Sequence, residues 1–114
     1  MDRQKMMTLL NTTIFDCLIY KGYGQRVADR DHFPYPDAHF GLELGLKDVS
    51  LVADTAARSA VPMPVCSVLK DRYLSAKARG WADLDWSAIG MAVSADAGAP
   101  VGPDVEKLLE AIKT

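Results

Sequence analysis

The sequence is poor in several features that mark specialised classes of protein. It has only two cysteines, Cys17 and Cys66, in 114 residues. That is too few for a disulfide framework, so a reducing cytoplasm is the expected location. The formal net charge is −2, which argues against nucleic acid or an anionic membrane as the main partner. No apolar run approaches the roughly 20 residues of a membrane span. Residues 1–7 are charged and lack the apolar core of a secretory signal.

Motifs for metal binding and nucleophilic catalysis are also missing. The sequence contains neither C-x-x-C nor H-E-x-x-H, so we expect no metal site. Both cysteines are expected to be small buried apolar residues, because Cys is among the residue types most often buried. The fragment Gly22–Val27 resembles a dinucleotide fingerprint. However, valine stands in place of its third glycine and no βαβ unit follows, so we interpret it as a chance match.

What remains is the composition of one globular domain, with 49% hydrophobic and 25% charged residues. A chain of this length buries roughly two thirds of its unfolded surface, which is enough for a hydrophobic core. Apolar residues recur at helical spacing, so we predict an all-α fold. Helices are expected over 2–13, 21–31, 40–60, 65–79, 86–93 and about 105–112, whereas 14–20 is compatible with either strand or helix.

The strongest helical pattern lies in the range 40–60. Its apolar residues step by four and three positions, which places them along one face of a helix. They are Leu42, Leu46, Val49, Ala53, Ala56 and Ala60. Leu44 and Leu51 form a second apolar stripe, so we expect this helix to be central and packed on more than one side.

Two glycines, Gly41 and Gly45, interrupt this helix, and each costs about 1 kcal/mol relative to alanine. A close approach by a neighbour or a ligand is expected to offset that cost. Lys47 follows Glu43 by four positions, and Asp48 comes next. From spacing alone, Lys47 and Glu43 form a solvated ion pair, while a ligand contact by Lys47 stays an alternative.

The chain carries an ordered set of short motifs. They are Met7–Asn11, Phe40–Leu51, the alanine-rich 53–60, Pro62-Met63-Pro64, Tyr73, Gly80–Asp85 and Trp86-Ser87-Ala88. As an ordered set over roughly residues 2–93, they resemble the C-terminal domain of the β-hydroxyacid dehydrogenases. This family includes 3-hydroxyisobutyrate dehydrogenase, tartronate semialdehyde reductase and relatives of 6-phosphogluconate dehydrogenase.

The resemblance implies a 6-phosphogluconate dehydrogenase C-terminal domain-like helical bundle over 1–96, followed by a linker and a terminal amphipathic helix over 97–114. Family members oxidise small 3-hydroxy acids, or reduce the matching aldehydes, with NAD or NADP, and dimerise through this domain. The residue matching Lys47 contacts the nicotinamide end of the cofactor. Those matching Phe40 and Asp48 line or support the same cleft.

The chain also departs from the family pattern. A Rossmann domain and the catalytic lysine of the inter-domain helix are not found in it, and none of Lys5, Lys21 and Lys47 sits in that lysine's motif. We therefore assign no catalytic residue and expect NAD or NADP binding only with a complementing Rossmann-domain chain. A homodimer is the other expected assembly. The alternative is a non-catalytic helical interaction module in which Lys47 and Asp48 are solvated charges.

Overall fold

The computed structural model describes residues 2–34, 38–99, 101, 107 and 110. Within this part of the chain the fold is all-α, as the sequence predicts, and it contains no strand. The elements are α1 (Arg3–Asn11), a π-helical turn (Tyr20–Gly24), α2 (Gln25–Asp29), α3 (Leu42–Arg58), α4 (Pro64–Ala78), a 3-10 turn (Trp86–Ala88) and α5 (Ile89–Asp96). The residues predicted to form the terminal amphipathic helix lie largely outside the described part.

The N-terminal elements follow local signals in the sequence. The Asp2 side chain caps α1 by accepting hydrogen bonds from the backbone N–H groups of Gln4 and Lys5. The segment 14–20 begins as a turn, and helical backbone starts at Leu18. The fragment Gly22–Val27 is helical throughout, so it forms no phosphate-binding loop.

The hydrophobic core lies where α3, α4 and α5 meet. Its buried members are Leu42, Leu46, Tyr73, Ala76, Trp81, Leu84, Ala88, Met91 and Ala92. Pro64 starts α4, and Gly80, with a φ of +83°, follows its end as the sequence predicts. The core thus involves the first half of α3 and the last half of α4.

The expectation that α3 is packed on more than one side is wrong for the described residues. Leu44 and Leu51 are 47% and 56% exposed. The helix also begins at Leu42, so Gly41 is its N-cap residue and only Gly45 lies in its interior. Periodicity identifies an apolar face, but it does not say whether the same chain covers that face.

The prediction for the cysteines is half right. Cys66 is buried and its thiol lies 3.2 Å from the carbonyl oxygen of Val49, whereas Cys17 is exposed; both are free thiols. Cys17 lies in the turn after α1, where Ile14 and Leu18 are also exposed.

The described helices are all too short or too polar to cross a membrane. In the same residues, no three His, Cys, Asp or Glu side chains are grouped so that they could hold a metal ion.

Candidate functional site

A fully buried carboxylate, Asp85, holds the segment before α3 in place. Its Oδ2 accepts hydrogen bonds from the Arg26 guanidinium at 2.7 Å and from the backbone N–H groups of His39 and Phe40 at 2.9 and 3.3 Å. Its Oδ1 accepts from the backbone and hydroxyl of Ser87 at 3.0 and 2.6 Å. These contacts fix the positions of His39 and Phe40.

Asp85 stays ionised despite its burial. Burial by itself raises the pKa of this carboxyl group. The hydrogen bonds from Ser87 and from the Phe40 amide, together with the charge of Arg26, outweigh that effect and lower the pKa below its ordinary value. Arg26 also donates to Asp31 at 3.0 Å, so one guanidinium group pairs with two carboxylates.

Backbone hydrogen bonds reinforce the same junction. Gly41 and Asp85 form an antiparallel bridge. The N–H of Leu42 donates to the carbonyl of Leu84 at 2.9 Å, and the N–H of Trp86 donates to the carbonyl of Phe40 at 2.7 Å. The start of α3 is therefore fixed to the chain on either side of Asp85.

A cavity of about 500 Å³ opens next to this junction, and we call it the cleft cavity. Its size is typical of a site for a small ligand or part of a cofactor. It is lined by Tyr23, His39, Phe40, Gly45, Asp48, Val49, Val52, Leu69, Tyr73, Trp86 and Ile89.

Gly45 shapes the cleft cavity by letting Tyr73 approach α3. A Cβ atom at position 45 would lie 2.7 Å from the Tyr73 hydroxyl oxygen, closer than real Cβ contacts allow. The expected close approach at Gly45 is thus present, and its partner is Tyr73 of α4 in the same chain. Gly41 differs, because nothing lies within 4 Å of a Cβ built there.

Tyr73 presents a neutral phenol to the cleft cavity. Burial, followed by the negative charges of Asp48 and Asp85, raises the pKa of Tyr73 to about 12. The hydroxyl therefore keeps its proton near neutral pH and can donate a hydrogen bond.

Aromatic rings form another wall of the cleft cavity. The Trp86 ring packs edge-on against Tyr23, with centroids 4.8 Å apart, and against Phe40, with centroids 6.1 Å apart. The indole Nε1 of Trp86 is buried and has no hydrogen-bond partner among the described residues. An unpaired buried donor is costly, so this N–H lowers the stability of the folded chain.

The three residues that the resemblance singles out lie close together, but in two different settings. Phe40 and Asp48 line the cleft cavity, whereas Lys47 does not. The Lys47 Nζ lies 3.4 Å from Asp48 Oδ1, with both side chains more than half exposed, which places the ammonium group beside the cavity. The predicted pair with Glu43 is not formed, because Glu43 accepts from Lys77 at 2.7 Å.

Several residues of the site were not identified as site residues from the sequence. Asp85, Tyr73 and Trp86 were noted in the sequence only as parts of the motifs. Tyr23 lies in the glycine-containing fragment that was set aside. An apolar helix face carrying an isolated tyrosine is a weak sequence signal, and the structure alone brings these rings together.

Comparison with known families identifies the domain. The family described as "NAD-binding of NADP-dependent 3-hydroxyisobutyrate dehydrogenase" matches residues 1–93. The chain belongs to this family. The resemblance seen in the sequence is thereby confirmed, and the all-α architecture is that of the helical domain of these dehydrogenases.

Two similar proteins illustrate the match. The chain is 31% identical over 86 residues to the uncharacterized oxidoreductase YfjR of Bacillus subtilis (strain 168), covering 75% of this chain and 29% of that protein. The crystal structure of a 3-hydroxyisobutyrate dehydrogenase (ygbJ) from Salmonella typhimurium superimposes with a TM-score of 0.70 at 25% identity, covering 80% of this chain and 30% of that one. The matched region is therefore less than a third of either relative.

Proposed function

We propose that the chain is the cleft-forming and dimerisation domain of an NAD- or NADP-dependent 3-hydroxyacid oxidoreductase. We propose residues 1–96 as the extent of this domain, and most of 97–114 lies outside the described residues. The main support is that Phe40 and Asp48 line one cavity in a chain whose residues 1–93 match this dehydrogenase family. The substrate class proposed is a small 3-hydroxy acid.

The residues around the cleft cavity suit one end of a nicotinamide cofactor. The exposed Lys47 ammonium is a donor, and the adjacent Asp48 carboxylate restrains its position. Phe40 and Trp86 supply an aromatic wall, and the neutral Tyr73 hydroxyl supplies a further donor toward acceptor atoms. When bound, the cofactor supplies hydride transfer.

This domain does not carry the complete reaction. The described residues form no sheet on which a dinucleotide is held, and none of them is proposed as the catalytic acid or base. We therefore propose that a Rossmann-type domain, in a complementing chain, completes the site. The isolated chain is expected to show no dehydrogenase activity.

A binding experiment tests the role of Lys47. NADH or NADPH titrated into the isotope-labelled chain is expected to shift the amide NMR signals of Phe40, Lys47 and Asp48, with a dissociation constant in the millimolar range. Lys47→Ala is expected to raise the dissociation constant about tenfold, because one charge-assisted hydrogen bond is lost. Lys5→Ala is the matched control, because Lys5 is also exposed and lies on α1.

A complementation assay tests the function as a whole. The chain is mixed with the separately expressed Rossmann domain of a family member, and oxidation of 3-hydroxyisobutyrate-type acids is followed by nicotinamide absorbance. Activity that requires both chains and falls with Lys47→Ala supports the proposal. Activity that is unchanged by Lys47→Ala removes the role given to that residue.

An interaction module without catalytic role is the second candidate function. The exposed apolar side chains of α3 and α4, such as Leu51 and Val65, favour it, because large exposed apolar patches mark interfaces. Absence of nicotinamide binding and of activity with any Rossmann partner, combined with stable self-association, would favour this second function.

A further inference from the structure

A second, smaller cavity lies between α1, α2 and α5. Its volume is about 120 Å³ and it shares no lining residue with the cleft cavity. At about 30 Å³ per molecule it holds about four waters, or one small oxyanion such as phosphate. Its polar lining residues are Arg3, Arg30, His32 and Ser94, and among the residues that the structure describes no carboxylate lines it.

The positive charges at this cavity are not balanced within the described part of the chain. There, neither Arg3 nor Arg30 forms an ion pair, whereas Arg26, Arg72 and Arg79 each pair with an aspartate. Two unpaired guanidinium groups at the wall of a small cavity favour an anionic occupant.

The backbone conformation at Arg30 makes this residue suitable for a test of the site. Arg30 follows α2 in the left-handed conformation, with φ +59°. This conformation costs a residue with a side chain roughly 1 kcal/mol, and glycine adopts it freely. Replacing Arg30 by glycine therefore removes the guanidinium group without straining the backbone.

His32 supplies a third potential donor. It is 4% exposed, and its Nδ1 lies 2.8 Å from the Ser87 hydroxyl oxygen. Because that hydroxyl donates its proton to Asp85, it accepts one from His32 Nδ1, which leaves Nε2 as the nitrogen that titrates.

The charges around His32 oppose one another. Burial lowers the pKa of His32, Asp85 and Asp31 act to raise it, and Arg26 and Arg30 act to lower it further. An anion held beside the ring would offset the two arginines and favour the protonated imidazole.

We propose that the cavity formed by Arg3, Arg30, His32 and Ser94 is a binding site for a phosphate-sized oxyanion, separate from the nicotinamide cleft. The two guanidinium groups hold the anion by charge-assisted hydrogen bonds. The ligand is inorganic phosphate or the terminal phosphate of a small organic molecule. This site does not depend on the proposed dehydrogenase function.

Calorimetric titration of the full chain with sodium phosphate and with sodium sulfate tests the site, at an ionic strength held constant with sodium chloride. We expect one anion per chain, and a thermal midpoint that rises with anion concentration. Arg30→Gly is expected to weaken binding about tenfold while leaving the stability of the anion-free chain unchanged or higher, since glycine relieves the left-handed backbone. Arg3→Gln is a second variant that is expected to weaken binding without touching that backbone.

The controls distinguish a built site from general charge attraction. Arg58→Gln removes an exposed arginine at the end of α3 and is expected to bind as the wild type does. In sulfate, whose charge is constant near neutral pH, the NMR titration midpoint of His32 is expected to move upward. Equal binding by Arg30→Gly and the wild type, or an effect matched by chloride, would overturn the proposal. A glucose phosphate that binds more tightly than free phosphate would identify the organic source.

Discussion

At the level of single residues, the Asp85 side chain makes several different interactions at once. One side chain caps the 3-10 turn through Ser87, forms an ion pair with Arg26 and accepts the amide protons of His39 and Phe40. A carboxylate with this many donors is stabilised in its charged form, and all of these donors lose their acceptor if it is removed.

Replacing this carboxylate should therefore be severe and should change the pH dependence of stability. Asp85→Asn is expected to lose about 3–5 kcal/mol of unfolding free energy at pH 7. The pKa of Asp85 is lowered in the folded state, so its contribution is present above about pH 4 and is lost as the pH falls through the folded-state pKa. Urea unfolding measured from pH 7 to pH 3 checks both effects.

The neighbouring Asp83 provides the matched control. It lies in the same turn but is exposed, so Asp83→Asn is expected to change stability by no more than about 0.5 kcal/mol. Equal losses in the two variants would show that Asp85 is not the centre of the junction.

Asp85 also shows how far residue roles can be predicted from sequence. The helix cap was predictable because the partner, Ser87, is two positions away. Arg26 is 59 positions away, and no local pattern connects it to Asp85. Lys47 and Asp48 were singled out by resemblance, and their part in cofactor binding stays a prediction.

At the level of elements, the glycines inside α3 and α5 differ in whether the packing around them requires a glycine. Gly45 in α3 is required by the Tyr73 ring, whereas a Cβ at Gly90 in α5 would lie 3.5 Å from Val27, an ordinary contact. Glycine lowers helix stability by about 1 kcal/mol relative to alanine. An alanine substitution regains this free energy only where the added methyl group fits.

The two alanine substitutions are accordingly expected to differ in sign. Gly90→Ala should stabilise the domain by about 0.5–1 kcal/mol. Gly45→Ala should destabilise it by about 1–3 kcal/mol, because the added methyl group overlaps a buried ring. Thermal unfolding followed by circular dichroism compares them directly, and stabilisation by Gly45→Ala would contradict the packing described for Tyr73.

Element boundaries were more predictable than element environments. Prolines, the Asp2 cap and Gly80 placed the ends of α1 and α4 to within a few residues. The exposure of Leu51 was not predictable, because the same spacing arises whether a face meets its own chain or another molecule. The π-helical turn at Tyr20–Gly24 has no sequence signature that separates it from an α-helix.

At the level of the whole molecule, a large apolar surface is left on the outer side of α3 and α4. Exposed side chains there include Leu44, Leu51, Val61, Met63, Val65 and Val68. Under the proposed function this surface is where two copies associate, since a patch repeated on both copies forms a two-fold interface.

Self-association is therefore expected at micromolar concentration in analytical ultracentrifugation. Leu51→Lys is expected to shift the population toward monomer by placing a charge in the apolar surface. Leu9→Lys is the control, because Leu9 is exposed to nearly the same extent, 57% against 56%, but lies on α1. A wild-type chain that sediments as a monomer, or equal effects of both variants, would contradict a dimer formed through α3.

The contact between Gly45 and Tyr73 couples two properties that are usually adjusted separately. The same phenol sets how closely two helices approach and how wide the adjoining chamber is. A family member adapting to a bulkier ligand cannot widen the cleft cavity by a smaller residue at position 45, because glycine has no side chain to remove. Divergence in ligand size should instead proceed through compensated pairs, in which a smaller ring at position 73 accompanies a larger residue at position 45.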